Sequence, residues 1–375
     1  MENRKAIGYI TANYASREQS VLLEDRPLAS LPYAGRYRLV DFPISNMVNA
    51  GITTVGLVLP ANYRSLIDHL SSTKDWGLDR KRGGMYFMPG SAYGTSARSM
   101  RFLMRDIIAN VSLFQRSDAP YVVMCGTNII FNIDLRAVID HHEASGADIT
   151  MVHVRAERSH GVDALAVRVG EGNRVTGVVH GVAQGDQKFL DCFIIGRDLL
   201  LRIIEAYRDF DHLDFFEAIE SEFDRIDIRA VEFNGAALGV FDERTYYDRS
   251  MDLLNPELSD QLFCPERPIL TKAHDAPPAK YTATAEVRNS LVSADCIVAG
   301  EVSGSILSRK VVVEEGAVVR NSILLQSCTI KAGARVENAI VDKNNTVAAG
   351  TLLCGTPEDI LVVRKGATPT LAVRA

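Results

Sequence analysis

The chain has 375 residues, with 41 Lys and Arg against 47 Asp and Glu, so its formal net charge is −6. That balance excludes a nucleic-acid binder working by phosphate neutralisation, because there is no basic excess to displace counterions. No apolar run of roughly 18 or more residues occurs, so no membrane span is expected, and the length calls for two or more domains.

The opening segment MENRKAIGYITANY has a short apolar patch and no small-residue cleavage site, which argues against a secretory signal. The six cysteines (Cys125, Cys192, Cys264, Cys296, Cys328, Cys354) are dispersed without a CxxC pair. They read as reduced, mostly buried thiols, and a cytoplasmic location is expected.

Strand-like and helix-like segments alternate along the first two-thirds. Ile52–Leu59 is a short β-branched apolar run ending at Pro60, and Asn62–Leu70 reads as a helix. Tyr121–Cys125 reads as a buried strand, Leu135–Ala144 as a helix and Asp148–Val154 as a strand. Such alternation predicts a parallel sheet covered on both faces, with any site at the carboxyl ends of its strands. The loops after Ile10, Leu59 and Cys125 are therefore the places to search.

Residues 256–278 hold five of the 13 prolines (Pro256, Pro265, Pro268, Pro277, Pro278) and read as an extended connector. Beyond about residue 281, aliphatic side chains recur every six positions: Ile306, Val312, Val318, Leu324, Ile330, Val336. The register slips by one and resumes at Val341, Val347 and Leu353. A period of six fits neither a helix nor long strands; it is the hexapeptide pattern of a parallel β-helix, with Cys296, Cys328 and Cys354 filling its core or corners.

Several motifs carry a family resemblance. The segments Gly35–Ile52 (GRYRLVDFPISNMVNAGI), Asn62–Gly84, Tyr93–Ala97 (YGTSA) and the opening GYITANY occur in the order found in sugar-nucleotide pyrophosphorylases. The chain is identified as a member of that group, resembling the bacterial glucose-1-phosphate adenylyltransferases most. The resemblance implies an α/β, Rossmann-like, glycosyltransferase-A-like nucleotidyltransferase domain (1–255), a connector (256–280) and a left-handed parallel β-helix (281–375). It also implies adenylyl transfer from ATP to glucose 1-phosphate for glycogen synthesis, with Mg²⁺ held by carboxylates.

The phosphate-handling and metal-binding residues of that family are missing here. Its GGxGTRL loop is replaced by TANYASREQ (Thr11–Gln19), whose Asn13 and Tyr14 should crowd a triphosphate. Leu28 stands at the position of the following lysine, and Thr127 and Asn128 stand where the family has the aspartate and histidine of GDH. Gly239 takes the place of the second metal aspartate, and Gly181 that of the sugar-phosphate lysine. Asp242 is the candidate for a shifted metal ligand and His180 for a replacement at the lysine site; a lone strand histidine is more often structural.

Losing one charge-stabilising group commonly costs about 2.7–4 kcal/mol of transition-state stabilisation, so losing several abolishes useful turnover. The resemblance therefore implies the family's non-catalytic, regulatory type of subunit, with no metal and no catalytic residue. Such a chain would assemble with the catalytic subunit into a tetramer, unless it forms a homodimer or homotetramer alone. The substrate-like pocket would keep Thr11, Arg17, Tyr93, Gly94, Thr95 and Gly126. Arg36, Arg38, Arg309 and Lys310 are candidates for binding a phosphorylated effector. Arg98, Arg101 and Arg105 fall at helical spacing opposite Met100, Met104 and Ile108 and read as a solvated or interface face.

The alternative is an active adenylyltransferase with a rearranged, Mg²⁺-dependent site. Hexapeptide acyltransferase chemistry is improbable, because the last histidine, His274, precedes the repeat.

Overall fold

The computed structural model describes residues 5–14, 20–91, 101–209, 214–367 and 372–373. In chain order its main elements begin with β1 (Ala6–Thr11), α1 (Asp41–Asn49), β2 (Thr54–Leu59), α2 (Arg64–Leu70) and β3 (Gly84–Pro89). Then come α3 (Met104–Ala109), β4 (Tyr121–Cys125), α4 (Leu135–Ser145), β5 (Ile149–Arg155), β6 (His160–Val169), β7 (Val175–Val182) and β8 (Gln187–Gly196). The last are α5 (Arg197–Ala206), β9 (Ile228–Glu232), α6 (Glu243–Met251) and α7 (Pro256–Leu262).

Nine strands form one sheet, with a main path β7-β6-β8-β4-β1-β2-β3 and with β5 pairing both β8 and β9. The β4-β1-β2-β3 half is parallel, as the buried apolar runs predicted. The other half is mixed, because β8 returns antiparallel to β4 and β5. Helix α4 shows how local sequence sets an element. The Asp134 carboxylate accepts from the backbone N–H of Arg136 and Ala137, Gly146 closes the other end at φ 67°, and Leu135, Val138, Ile139 and His142 supply the buried face.

The proline-rich stretch departs from expectation. It is not wholly extended: Pro256 opens α7 at the first helical turn, where its missing N–H costs nothing, and Asn255 caps the helix.

Past Lys280 the chain winds a left-handed parallel β-helix with three sheets of five, six and five strands. Glu301, Val318, Arg335 and Leu352 lie in register on one sheet, so each of these turns spans 17 residues. The slip in the hexapeptide period thus recurs once per turn. It also displaces part of the expected core. The axial side chains are Leu307, Val313, Val319, Leu324, Ile330 and Val336, all fully buried, whereas Val312 and Val318 are only half-buried. Cys296 and Cys328 are buried in this core, while Cys354 is half-buried outside it. All six cysteines are free thiols.

The register makes a sharp prediction. Val313→Ala should cost about 2 kcal/mol of unfolding free energy, against under about 1 kcal/mol for Val312→Ala, measured by denaturant titration. Equal losses would contradict the alternation.

A cluster including Leu22, Leu31, Tyr33, Phe42, Ile323, Leu325, Ile340 and Ile360 packs the first domain against the β-helix. Among the described residues, no helix is long and apolar enough to cross a membrane.

Candidate functional site

The parallel strands place their carboxyl ends together. Ile10 pairs with Cys125, which sets Thr11 beside Gly126, and Gly239 pairs with Ile129 just beyond Thr127 and Asn128. A Val240 N–H bond to the Asn128 carbonyl (2.7 Å) locks the last contact. Two positions read from sequence as lost metal ligands, far apart in the chain, are therefore neighbours in space.

The loop after β1 fills this end of the sheet. Asn13 is buried and donates through Nδ2 to Asp106 Oδ2 (2.8 Å) and the Ser91 carbonyl (3.1 Å). The Tyr14 hydroxyl accepts from the Thr127 backbone N–H at 2.6 Å. Burial, with Asp191 adding to it, pushes the Tyr14 phenol up, so it stays neutral. A side chain at Gly126 would collide with that hydroxyl, with Asp191 and with Asn128. The N–H that could meet a phosphate oxygen is already taken by a side chain of this chain.

Around this lies a buried polar network that the sequence reading missed. Arg101 Nε donates to Asp191 Oδ2 at 2.7 Å, with 2% and 1% of the two side chains exposed. Arg101 is thus not on a solvated face, whereas Arg105 is exposed; Arg98 lies outside the described residues. Asp191 sits at φ 50° in an irregular stretch of β8, which aims its carboxylate at Arg101. Burial holds its carboxyl at about 6, against the pull of Arg101. The Asp214 carboxylate accepts from the backbone N–H of Arg101, Phe102 and Phe216. Lys188 is 2% exposed, and burial brings its ammonium down to about 8, which leaves it charged at pH 7. The signal was present in the run KFLDCFII: Lys188 and Asp191 interrupt an otherwise apolar buried strand.

The other candidates scatter. Leu28 packs half-buried against the domain-junction cluster. Gly181 sits at φ 82° with open space around it, a backbone conformation that a lysine there would resist. His180 lines a cavity of about 200 Å³ with Arg101, Asp214, Phe216 and Glu217. Arg17, Tyr93, Gly94 and Thr95 lie outside the described residues. Asp242 is the N-cap of α6, its Oδ1 accepting from the Thr245 N–H at 2.6 Å in a reciprocal capping box.

These residues do not fit Mg²⁺. Thr127, Asn128 and Gly239 provide no carboxylate, Asp242 is engaged as a cap, and Arg101 holds Asp191 Oδ2, so the unpartnered oxygens Thr127 Oγ1, Asn128 Oδ1 and Asp191 Oδ1 include a single charged donor. Among the described residues no group of three or more His, Cys, Asp or Glu could hold a metal ion.

The effector candidates gather at the domain junction. Arg38 donates to the Ser30 hydroxyl and the Ser65 carbonyl; burial lowers it to about 10, and Arg26 and Arg309 add to the fall. Arg309 is half-buried, lowered by burial and then by Arg36, which itself lies over the Tyr37 ring at 5.2 Å. Lys310 is exposed on a turn at φ 62°. Two cations missed from sequence complete the cluster. Arg26 is buried and paired with Asp342, and burial beside Arg38 and Arg26 drives Lys343 down to about 7.

Comparison with known proteins matches this arrangement. The nucleotidyl transferase family matches residues 24–179, and the GlmU-like C-terminal hexapeptide family matches residues 277–359. The glycogen biosynthesis protein GlgD of Bacillus subtilis is 34% identical over 98% of this chain and 97% of its own length. That of Geobacillus stearothermophilus is 36% identical over 97% of each chain. The glucose-1-phosphate adenylyltransferase of Pseudothermotoga lettingae is 27% identical over 84% of this chain and 76% of its own. Full-length identity of this order, on a nucleotidyltransferase domain joined to a hexapeptide β-helix, shows that the chain belongs to the GlgD family of glycogen biosynthesis proteins.

Proposed function

We propose that this chain is a non-catalytic regulatory subunit of glucose-1-phosphate adenylyltransferase, acting in ADP-glucose and glycogen synthesis. One observation carries the reading. The two positions read as lost metal ligands converge at the end of the sheet, yet they present Thr127, Asn128 and Gly239 and are closed by the Tyr14 hydroxyl. The scaffold and the cationic junction are kept without the chemistry. The chain's role is then to assemble with the catalytic subunit, as a hetero-tetramer, and to change its activity or its response to a phosphorylated effector. Regulation of this kind requires an interface with two arrangements and a ligand that prefers one of them. Arg38, Arg309, Arg36, Arg26 and Lys343 supply the cations for that ligand.

The test is coexpression with a catalytic glucose-1-phosphate adenylyltransferase subunit. The two chains should copurify, and turnover or effector response should differ from that of the catalytic subunit alone. The purified chain by itself should form no ADP-glucose from ATP, glucose 1-phosphate and Mg²⁺. Failure to associate, or robust turnover by the chain alone, would sink the proposal.

A further inference from the structure

Lys188 has no role in the reading above, and its position is unusual. It projects from β8 and is 2% exposed. A Cβ built on Gly239 would lie 3.3 Å from Lys188 Nζ. Gly239 in turn adjoins Ile129 and, through Val240, Asn128. A fixed ammonium therefore stands beside the place where the two sequence-aligned metal positions meet.

We propose that Lys188 is a built-in monovalent cation that takes the place of a divalent metal ion and keeps metal out of this site. The inference deepens the non-catalytic reading and rests on it: the site has not merely lost ligands but has gained a group that opposes metal. A divalent ion a few ångströms from an ammonium meets twice the repulsion of two unit charges, in a region too dry to screen it. A carboxylate restored at position 239 would face Lys188 first and be neutralised by it, forming a buried ion pair in place of a metal ligand. Nearby Asp191 offers little way around this, because Arg101 holds its Oδ2 and leaves only Oδ1 without a partner. Restoring both aspartates is thus insufficient to rebuild a metal centre.

The experiment compares Mn²⁺ binding, read by electron paramagnetic resonance, in three full-length proteins. The unaltered chain and T127D/G239D should bind no Mn²⁺ measurably, whereas T127D/G239D/K188M should bind at least tenfold more tightly than either. Equal binding by the double and triple variants, or none by a folded triple variant, would overturn the proposal.

A second measurement stands if the triple variant does not fold. The Phe241 ring lies 2.6 Å from the same built Cβ and must swing aside for any residue at 239. That cost is common to both backgrounds and cancels in a double-mutant cycle. G239D should lower the melting temperature less with Lys188 present than in a K188M background; additive losses, or the reverse order, would overturn the proposal. Turnover by the unaltered chain would sink the non-catalytic reading without altering the outcome of this cycle, so the two failures are distinguishable.

Discussion

Arg26→Met is expected to cost about 3–5 kcal/mol of stability, because it leaves the Asp342 carboxylate buried without its counter-charge. The pair is closed to solvent, with 5% of the Arg26 side chain and 1% of the Asp342 side chain exposed. Arg26 lies between Leu22 and Leu31 of the junction core, and Asp342 lies on the β-helix. The neighbouring pairs Glu24–Arg364 and Asp25–Lys365 follow the same path but are exposed, so each contributes little. The Asp342 Oδ1 also accepts from the Lys343 backbone N–H at 2.7 Å, which does not replace a charge. At pH 8 Lys343 is mostly neutral in the unaltered chain; Arg26 helps hold it there, so its loss returns part of that charge and places the expected cost toward the lower end of the range. Urea titration at that pH should show a lower midpoint with an unchanged slope if the two domains still unfold together. Arg26→Met combined with Asp342→Asn should recover most of the loss. If the single variant loses under about 1 kcal/mol, the pair does not fasten the domains.

Architecture was legible because it depends on repetition and burial. Tyr121–Cys125 reads as a strand from its composition alone, and the strand spans those residues. The hexapeptide repeat likewise survives as a β-helix. Its register did not, since adjacent aliphatic residues such as Val312 and Val313 both satisfy a periodic pattern, and only the direction of the side chain separates them. Pro256 misled for a local reason: proline breaks a helix interior yet suits a first turn.

The candidate site was legible by subtraction. The resemblance named positions where the family's charges are expected to be missing, and the fold brings Thr127, Asn128 and Gly239 together. What took their place was not legible. The contact of Tyr14 with Thr127, the Arg101–Asp191 pair and the approach of Lys188 to Gly239 are all long-range, joining residues that no spacing rule connects. Arg101 shows the error most plainly. A row of arginines at helical spacing suggests a wet face, but a single buried aspartate on β8 reverses that reading.

Sulfate should bind the junction cations more tightly at pH 6 than at pH 8, and Lys343 should account for most of the difference. Sulfate suits the test because its own charge is constant in this range, whereas a phosphate ester titrates near pH 6. Lys343 is pulled to about 7 by burial and then by Arg38 and Arg26; Asp342 opposes this fall and Lys365 adds to it. The ammonium therefore discharges as pH rises through 7 in the unliganded protein. An unfolded chain holds that proton to about 10.4, so it binds more protons than the folded state above pH 7. Stability from this group is accordingly lowest below pH 7 and rises toward pH 10. An oxyanion reverses the penalty by pairing with the charged form, and its binding should take up protons near pH 8. Calorimetry in buffers of different ionisation enthalpy reads that uptake directly. One charge-assisted hydrogen bond contributes about 1.5–3 kcal/mol, so Lys343→Met should weaken sulfate by roughly 10- to 150-fold at pH 6 and flatten the pH profile. Arg38→Ala should weaken binding more at pH 6 than at pH 8, because it removes a guanidinium charged at both values but also relieves Lys343, which then keeps more of its own charge at pH 8. A pH profile that Lys343→Met leaves unchanged would remove Lys343 from the site and leave the arginines to account for any anion bound there.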